Sequence, residues 1–409
     1  LAPTIHPKNV FAATRKSAPP VSTPPNPSTP TIPANPLRAL FPFAARPGML
    51  NLASGHPSRD AYDHEGLAEA LTRAGADFPS WTYGPSAGDP LLLTVLQEHM
   101  VEVPAGHRLL VTSGAQQGID LAIRTLAPPG STILVPEPVY PAVLSACAAV
   151  GVRAVGYGAA ASDTALAGLA EALDAAPDAR AVYALPTFGN PTGETLSQAQ
   201  RLAMLALCAE RMIAIIEDDP YRALWFRAPP PPSLMALAPQ VPGAVVIHLG
   251  SLSKMISPGL RLGWAIAPDA IAAPMQEARQ ASDLQPNSLA QRVALHYLRL
   301  GRLDAHVARV RGLYAARHDA LVGRLAAAGF RVPPVDGGMF VFVGLPEGTV
   351  REGLFERAIA GGVMYAPGPA FALKPGHAAF ADLMRLCFVG LSDADVPVAA
   401  DRLIAALRG

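Results

Sequence analysis

The sequence predicts an α/β protein with a mainly parallel, seven-stranded central sheet flanked by helices, followed by a smaller α+β domain. Short β-branched or apolar runs alternate with Ala- and Leu-rich stretches of helical period from residue 64 to about 285. These runs are apolar throughout instead of alternating with polar residues, which is typical of strands covered on both faces. From about residue 286 the pattern changes to long helices and a few short strands. Two domains in close contact are therefore expected.

The first segment, residues 1–36, is interpreted as a flexible or extended arm. Its centre reads APPVSTPPNPSTPTIPANP, with too much proline and too little apolar surface for a packed core. No acidic residue precedes Asp60, a bias shared with organelle transit peptides, but a Pro-rich arm is not an amphipathic helix. The sequence begins with Leu1, which leaves open whether a segment is missing before it.

Residues 37–285 are predicted to form the large domain, with 37–63 as an N-terminal segment near its functional site. The candidate strands are RLLVT (108–112), TILVP (132–136), VRAVGY (152–157), AVYAL (181–185), IAIIE (213–217), VVIHL (245–249) and LGWAIA (262–267). Helical periodicity lies between most of them, at about 115–127, 139–150, 163–175 and 197–210.

Residues 286–409 are predicted to form the small domain. Its long helices extend through residue 328, and a last helix begins at about 394. The short strands between them are MFVFV (339–343), VMYA (363–366) and RLCFV (385–389).

Composition excludes several classes of function. The 32 basic residues balance 32 acidic ones, so no global field attracts nucleic acid or an anionic membrane. No apolar run approaches the roughly 18 residues that a membrane span needs. Cys147, Cys208 and Cys387 lack C-x-x-C spacing and resemble the buried thiols of a reducing compartment. We expect a cytoplasmic protein without a metal site, whose partners are small molecules or another subunit.

Glycine and polar residues follow several candidate strands, at the carboxyl ends where open α/β sheets bind ligands. Gly114 in TSGAQQG allows a tight turn into a helix whose free N–H groups would face an anion, although an ordinary turn has the same pattern. Asp218 in IIEDDPY closes an apolar strand, where a carboxylate needs a cationic partner. The stretch SLSKMISPGLRLGW supplies two hydroxyls, an amine and a guanidinium: Ser251, Ser253, Lys254 and Arg261. Together these groups indicate a site for a phosphate beside an amine.

The ordered motifs SGAQQ, PEPVY, NPTG, DDPY, SLSK and GLRLGW resemble those of the fold-type-I pyridoxal 5′-phosphate (PLP) aminotransferases. The similarity is to the class I/II group that includes the kynurenine and 2-aminoadipate aminotransferases, and it runs from about residue 37 to the C-terminus. It implies the PLP transferase fold, PLP as cofactor, and transfer of an amino group from an L-amino acid to a 2-oxo acid. The donor would be an aromatic, a 2-aminoadipate-like or an aliphatic amino acid, and no motif in the sequence distinguishes these three classes.

The resemblance assigns the cofactor contacts. Lys254 would form a Schiff base with the cofactor and, once released, move the substrate proton. Asp218 would pair with the pyridinium nitrogen, Tyr221 and Asn190 would hydrogen-bond the phenolic oxygen, and Tyr140 would stack on the ring. The phosphate would be held by Gly114, Ala115, Gln116, Ser251, Ser253 and Arg261. Ala115 replaces a serine or threonine common in relatives, so only its backbone N–H would serve.

The resemblance also assigns contacts with the substrate and with a second subunit. Arg385 in MRLCF matches the arginine that binds the substrate carboxylate, with Asn190 and Gly55 close to the substrate. Tyr83 in WTYGPSAG matches a tyrosine that reaches the phosphate of the neighbouring subunit, which implies a homodimer with shared sites. Arg38 lies in a segment that forms a mobile lid in some relatives.

Two other functions stay open at this point. The Pro-rich arm and FRAPPPPSLMAL also resemble transcription regulators that join a winged-helix domain to an aminotransferase-like effector domain. No helix-turn-helix pattern precedes residue 37, and NPTG and DDPY are closer to true transaminases. A PLP enzyme of another reaction type, a β-lyase or a decarboxylase, would use the same lysine, because sequence does not show which bond at the α-carbon is oriented for cleavage.

Overall fold

The structure is a computed structural model that describes residues 32–158, 165–374 and 380–407. Residues 1–31 of the predicted arm and the first two residues of the helix expected at 163–175 lie outside these ranges. At the start of the described chain, the Asn35 side chain accepts a hydrogen bond from Leu37 N (3.0 Å) and caps a 3₁₀ helix, Pro36–Leu40.

The β-strands within the described ranges follow most of the apolar runs of the sequence. In chain order they are β1 (Leu50–Asn51), β2 (His107–Thr112), β3 (Thr132–Val135), β4 (Arg153–Gly156), β5 (Ala179–Ala184), β6 (Ala214–Asp218), β7 (Val246–Ser251), β8 (Gly263–Pro268), β9 (Phe340–Gly344), β10 (Val363–Met364), β11 (Ala366–Pro367) and β12 (Leu383–Cys387).

The α-helices of the same ranges cover the sheets. They are α1 (Phe41–Ala44), α2 (His64–Ala76), α3 (Pro90–His99), α4 (Ala115–Leu126), α5 (Pro141–Ala149), α6 (Ala165–Ala175), α7 (Gln198–Glu210), α8 (Leu234–Leu237), α9 (Asp269–Ser282), α10 (Ser288–Arg299), α11 (Leu303–Ala327), α12 (Leu354–Ala360) and α13 (Asp395–Ala406).

The central sheet has seven strands in the order β2-β8-β7-β6-β5-β3-β4. β8 runs antiparallel to both of its neighbours, and the other pairings are parallel. Its inner strands β3, β6 and β7 are buried along their whole length, as uninterrupted apolar runs predict. The predicted fold class is confirmed, with the carboxyl ends of β5, β6 and β7 at one edge of the sheet.

The second part of the chain contains a smaller, antiparallel sheet in the order β11-β12-β9. The register pairs Leu383 with Gly344 and Cys387 with Phe340. In this register β12 ends at Cys387, opposite the first residue of β9 and two residues before the expected end at 389. The long helices expected up to residue 328 correspond to α10 and α11.

The N-terminal segment packs against the small sheet region through a strand that the sequence did not predict. β1 pairs in parallel with β10, with Leu50 opposite Val363 and Asn51 opposite Met364. The expected strand VMYA therefore divides into β10 and β11, each of two residues. A two-residue strand carries no periodicity, so only the tertiary fold could reveal it.

The hydrophobic core has separate regions on the two sides of the cavity described below. Val293, Leu295 and Tyr297 of α10 belong to the core that covers the large sheet. β9, β12 and α13 contribute to a second core, together with Leu52 and Leu224. The predicted domain boundary between residues 285 and 286 stays a prediction, because α10 lies beyond it in the sequence and packs against the large-domain core.

Among the residues in the structure, no helix combines the length and the apolar character that crossing a membrane requires. Cys147, Cys208 and Cys387 are all free and buried.

Candidate active site

A cavity of about 340 Å³ opens at the carboxyl ends of β5, β6 and β7. Most of the residues singled out in the sequence line it, and they come from seven separate stretches of the chain. They are Gly55, Ala115, Gln116, Tyr140, Asn190, Asp218, Tyr221, Ser251, Ser253, Lys254, Arg261 and Arg385. Parallel strands bring these distant segments to one edge, which is where ligands bind in open α/β sheets.

Asp218, the last residue of β6, lies at the floor of the cavity and is 3% exposed. Its Oδ2 accepts a hydrogen bond from the Tyr183 hydroxyl (2.7 Å), whereas its buried Oδ1 has no partner among the described residues. Burial raises the pKa of this carboxyl to about 7, against the effect of the Tyr183 hydrogen bond. A buried carboxylate oxygen without a partner is costly, so Asp218 is suited to a cationic ligand.

Lys254 follows β7 and projects its amine into the same cavity. Its Nζ donates a hydrogen bond to Gly55 O (3.1 Å) in the N-terminal segment. Burial, above all other influences, lowers the pKa of the ammonium. A lysine in this state is more readily deprotonated than a surface lysine, and its amine is a better nucleophile and base.

An anion-binding corner lies where β2 passes into α4. Gly114 is the N-cap of α4 with φ +78°, a conformation that favours glycine. A Cβ on Gly114 would lie 2.6 Å from Arg261 Nη2, so the glycine also leaves room for the guanidinium. Arg261 Nη2 donates to Ser113 O (3.2 Å), beside the first turn of α4. The free N–H groups of that turn and the arginine together suit a phosphate.

Two serines extend this corner along the end of β7. Ser251 and Ser253 are 4% and 6% exposed. Ser251 Oγ accepts from Ser253 N (3.1 Å) and donates to Leu262 O (3.4 Å). These bonds fix the loop that carries Lys254 against β8.

Arg385, in β12, reaches the cavity from the small sheet and is 2% exposed. Its Nη1 donates to Asn190 Oδ1 (2.8 Å), and its Nη2 donates to Ala53 O. Its Nε has no partner in the described part of the chain. The guanidinium lies over the rings of Phe340 (4.3 Å) and Phe371 (4.9 Å). This planar, buried cation can exchange its present acceptors for a carboxylate.

Two tyrosines border the space between these groups. Tyr140 is the N-cap of α5, and Tyr221 is 6% exposed with its ring edge-on to Phe340 at 5.8 Å. Burial raises the pKa of both phenols, so both remain protonated near neutral pH.

The structure does not bring Tyr83 into this cavity. Its side chain is 83% exposed, in the segment after the 3₁₀ helix Phe78–Trp81. Gly114 lies in the wall under Arg261 instead of at the cavity surface. Arg38, on the 3₁₀ helix of the N-terminal segment, lines the mouth of the cavity.

Sequence reasoning missed two residues of the site: Tyr183, which contacts Asp218 from outside the cavity lining, and His56, which lines the cavity. Tyr183 was counted only as part of a strand, and nothing in AVYAL shows that its hydroxyl reaches Asp218. His56 follows Gly55 and lines the cavity, and burial, followed by the charge of Lys254, lowers the pKa of its imidazole. A titratable residue beside Gly55 was a signal that the sequence did offer.

A cluster of Glu217, Asp219 and His248 is the one group in the described ranges whose side chains are close enough together to suggest a metal. Glu217 accepts from Leu234 N (2.7 Å), Met235 N (3.0 Å) and His248 Nδ1 (3.1 Å). Asp219 accepts from Arg222 Nε at 2.5 Å. Glu217 therefore has protein partners on both oxygens, whereas Asp219 has one on Oδ2 and none on its buried Oδ1 among the described residues. We assign no metal to this cluster. The absence of a metal site stays a prediction.

The donor set of the cavity fits PLP. The buried, unpartnered Asp218 Oδ1 is the acceptor that a protonated ring nitrogen requires. The Gly114–Arg261 corner suits the phosphate, and the Lys254 amine suits the aldehyde. No other arrangement in the described chain combines these three features in a single cavity.

Comparisons with known proteins agree with this fit. The sequence model of the family "Aminotransferase class I and II" matches residues 47–403. A 2-aminoadipate transaminase of Thermus thermophilus is 32% identical over 92% of this chain and 95% of its own. Aromatic-amino-acid aminotransferase 1 of Thermococcus litoralis is 30% identical over 92% of each chain.

A solved structure gives the same result. The α-aminoadipate aminotransferase LysN of Thermus thermophilus, crystallised with N-(5′-phosphopyridoxyl)-L-leucine, aligns with a TM-score of 0.82 at 32% identity. The alignment covers 92% of this chain and 95% of LysN. Fold, cofactor and chemistry therefore agree, and the chain belongs to the class I and II aminotransferases, as a PLP-dependent transaminase acting on amino acids and 2-oxo acids.

Proposed function

We propose that this cavity transfers the amino group of an L-amino acid to a 2-oxo acid, with Lys254 as the reacting amine and Arg385 as the carboxylate anchor. One observation carries the proposal. A buried amine, an unpartnered carboxylate oxygen and a buried guanidinium face a single cavity. When bound, PLP supplies an aldehyde that accepts an amine and a ring that withdraws electrons from the substrate α-carbon.

Lys254 has two tasks in this proposal, attachment of the cofactor and proton transfer. Its lowered ammonium pKa favours the neutral amine that both tasks need. The hydrogen bond to Gly55 O holds Nζ at the substrate side of the cavity. A released Lys254 amine at this place can take a proton from the substrate α-carbon and then donate it to another atom within its reach.

The remaining polar groups orient the cofactor. Asp218 would accept a hydrogen bond from the protonated ring nitrogen through its unpartnered Oδ1, and its negative charge would keep that nitrogen protonated. Tyr221 and Asn190 donate to the phenolic oxygen, and Tyr140 packs on the ring face. The phosphate contacts are Gly114, Ala115 and Gln116 at the start of α4, with Ser251, Ser253 and Arg261. Ala115 contributes only its backbone N–H.

Arg385 fixes the substrate. Its fork can form two parallel hydrogen bonds with an α-carboxylate, which sets the direction of the α-hydrogen relative to Lys254. Asn190 and the backbone at Gly55 complete this contact, since both already touch the two cations. The stacked rings of Phe340 and Phe371 limit the guanidinium to one plane.

The substrate side chain faces a mixed wall. Leu37, Leu40, Phe41 and Ile119 line the cavity beside Arg38. The apolar residues suit aromatic and aliphatic donors, and the arginine suits a distal carboxylate such as that of 2-aminoadipate. The names of the two relatives, a 2-aminoadipate transaminase and an aromatic-amino-acid aminotransferase, support the same range of donors.

We also propose a homodimer with shared sites. Phe78, Trp81 and Tyr83 are 76%, 65% and 83% exposed within one short segment, and Leu284 is 58% exposed. Two hydrogen bonds connect the two segments: Gly84 N donates to Gln285 Oε1, and Ser288 Oγ donates to Thr82 O. Several large hydrophobic side chains exposed within neighbouring segments are typical of an interface. Burying it against a second copy brings Tyr83 to the partner's phosphate in this proposal.

A cytoplasmic location completes the proposal, together with the division of the chain into residues 37–285 and 286–409. Free, buried cysteines are ordinary in a reducing compartment, which supports the location. The separate small sheet and its own core support the division.

Two measurements test the amino-transfer function. Amino donors are screened against 2-oxoglutarate and pyruvate, and the cofactor absorbance is followed as each donor is added. Borohydride reduction then identifies the modified peptide, which we expect to contain Lys254. Modification of a different lysine contradicts the assignment.

Arg385→Lys tests the carboxylate anchor, with Arg331→Lys as control. Arg331 is also an arginine of the small domain, but it is 60% exposed and paired with Asp382. Loss of the planar guanidinium, which can form two parallel hydrogen bonds, should weaken the apparent affinity for amino donors by roughly ten- to a hundredfold. The cofactor should stay bound, because its proposed contacts lie elsewhere. Unchanged donor affinity in Arg385→Lys would show that the carboxylate is held by another group.

A further inference from the structure

The hydrogen bond between Tyr183 and Asp218 has geometry that the strand register imposes. β5 and β6 are parallel neighbours in which Tyr183 lies opposite Ile216. Asp218 is two residues beyond Ile216, so its side chain projects from the same face of the sheet as that of Tyr183. The Tyr183 hydroxyl donates to Asp218 Oδ2 at 2.7 Å. Both side chains are buried, at 0% and 3% exposure.

The hydroxyl has a fixed role as a donor. Burial, followed by the charge of Asp218, raises the pKa of Tyr183 well above its ordinary value. The phenol therefore keeps its proton, and the carboxylate is its acceptor. Asp218 Oδ1 has no partner within the described ranges, so the tyrosine binds one oxygen and leaves the other free.

Other groups near Asp218 act on it only through charge. Its neighbours that carry or can carry charge are Asp219 directly after β6, His248 on β7, Lys254 after β7, Tyr140 at the start of α5, and Tyr221. Asp219 raises the pKa of Asp218, whereas His248 and Lys254 lower it. Among the residues the structure describes, Tyr183 is the donor that bonds this carboxylate directly.

We propose that Tyr183 is a positioning residue that holds one oxygen of Asp218 and directs the other toward the ring nitrogen of the cofactor. This inference rests on the proposed role of Asp218. It adds a residue outside the cavity lining that acts through Asp218 and touches neither cofactor nor substrate. The terminal bond of an aspartate side chain can rotate, so the plane of its carboxylate is not fixed by the side chain alone. The hydrogen bond from the Tyr183 hydroxyl fixes that plane.

The hydrogen bond also sets the charge of Asp218. It lowers a carboxyl pKa that burial raises to about 7. Without it, the pKa rises further, and Asp218 holds a proton over more of the neutral range. Pairing with a protonated ring nitrogen then requires release of that proton, so cofactor affinity should decline at a higher pH than in the parent protein.

Tyr183→Phe removes the hydroxyl and keeps the ring, and Tyr157→Phe is a matched control. Tyr157 is also buried, at 2% exposure, and its hydroxyl donates to the backbone oxygen of Tyr183 at 3.3 Å. The control thus removes a buried hydroxyl next to the same residue without touching Asp218. Asp218→Asn serves as reference, because it removes the titrating group itself.

Affinity for PLP is measured on the cofactor-free proteins by tryptophan fluorescence between about pH 5.5 and 8.5. Tyr183→Phe should bind about 10- to 100-fold more weakly on the acidic side, in the range for a hydrogen bond to a charged group. In a plot of PLP affinity against pH, the acidic limb, where affinity falls as pH decreases, should lie at higher pH in Tyr183→Phe than in the parent. Tyr157→Phe should keep the acidic limb of the parent. Titration of the Asp218 carboxyl by ¹³C NMR, assigned by the signal absent from Asp218→Asn, should show the same upward shift without cofactor.

The outcomes separate this inference from the proposed function. If Asp218→Asn retains the acidic limb, Asp218 does not pair with the ring nitrogen and both proposals are wrong. If Asp218→Asn loses the limb but Tyr183→Phe keeps the parental affinity and carboxyl titration, only the role of Tyr183 is wrong. Should Tyr183→Phe not fold, 3-fluorotyrosine at position 183 tests the same point. Its more acidic hydroxyl should shift the limb to lower pH, and an unchanged limb overturns the proposal.

Discussion

The carboxyl of Asp218 shows how a single residue is placed for function at a cost in stability. Its folded pKa of about 7 lies above the reference value of 3.8. A folded pKa above the unfolded one means that the folded state binds the proton more tightly, so folding is favoured at low pH. That contribution is lost as pH rises from 3.8 through 7. The ionised carboxylate therefore destabilises the cofactor-free fold.

Asp218→Asn should consequently stabilise the cofactor-free protein above neutral pH while weakening its binding of PLP. The free energy of unfolding should increase by at most about 4 kcal/mol, the value that corresponds to the difference between the two pKa values. The measurement is thermal unfolding of both cofactor-free proteins at several pH values. The parent should lose stability between mildly acidic and mildly alkaline pH, and the variant should lose less.

An exposed carboxylate gives the control for this comparison. Asp401 on α13 has a side chain that is 68% exposed and an ion pair of 3.6 Å with Arg324. Asp401→Asn should leave the pH dependence of unfolding at that of the parent. Equal pH dependence in Asp218→Asn and the parent would mean that Asp218 is hydrated in the cofactor-free protein.

At the scale of elements, strand ends and helix starts place the site. β6 ends in Asp218, β7 ends in Ser251, α4 begins after Gly114, and α5 begins after Tyr140. Each of these elements was predictable from apolar runs and helical period. Their polar termini meet because the parallel sheet aligns its carboxyl ends.

The sequence was less informative wherever the placement depends on pairing between distant segments. β1 and β10 have two residues each, too few for a periodic signal. Tyr183 looked like any strand residue, because its contact with Asp218 arises from the register of β5 against β6. The order of the motifs identified the family, whereas the hydrogen bonds around Asp218, Lys254 and Arg385 required the fold.

The turn from β2 to α4 offers a test at this scale. Gly114→Ala would place a Cβ 2.6 Å from Arg261 Nη2 at a backbone φ of +78°. The guanidinium must then move from the anion-binding corner, so PLP affinity should fall by about tenfold or more, the loss of a charged hydrogen bond. Equilibrium titration of the cofactor-free protein with PLP measures this effect.

Gly130→Ala separates backbone strain from the local clash. Gly130 has φ +87°, but a Cβ there would meet no heavy atom within 4 Å. Both variants should lose on the order of 1 kcal/mol of stability from the left-handed conformation. Only Gly114→Ala should lose affinity for PLP. Equal affinity losses in the two variants would assign the effect to strain alone.

At the scale of the whole molecule, the N-terminal segment links the two sheets through the site. β1 pairs with β10 near the small sheet. Just beyond it, Ala53 O accepts from Arg385 and Gly55 O accepts from Lys254. One short stretch of backbone thus holds both cations of the proposed reaction. A substrate carboxylate that takes Arg385 from Ala53 O would loosen this link, which connects binding to the position of Lys254.

The exposed segment from Phe78 to Tyr83 predicts that activity requires two subunits. Lys254→Ala and Tyr83→Phe proteins should each be inactive or strongly impaired if Tyr83 serves the partner's phosphate. In a mixed dimer of the two variants, one site combines the parental Lys254 with the partner's parental Tyr83, and the other site lacks both. Mixing under conditions that allow subunit exchange should therefore restore activity, up to one functional site per mixed dimer.

The measurement is the transaminase rate after exchange, with exchange itself followed by mass spectrometry of differently tagged subunits. Proven exchange without recovery would mean that Tyr83 acts within its own chain.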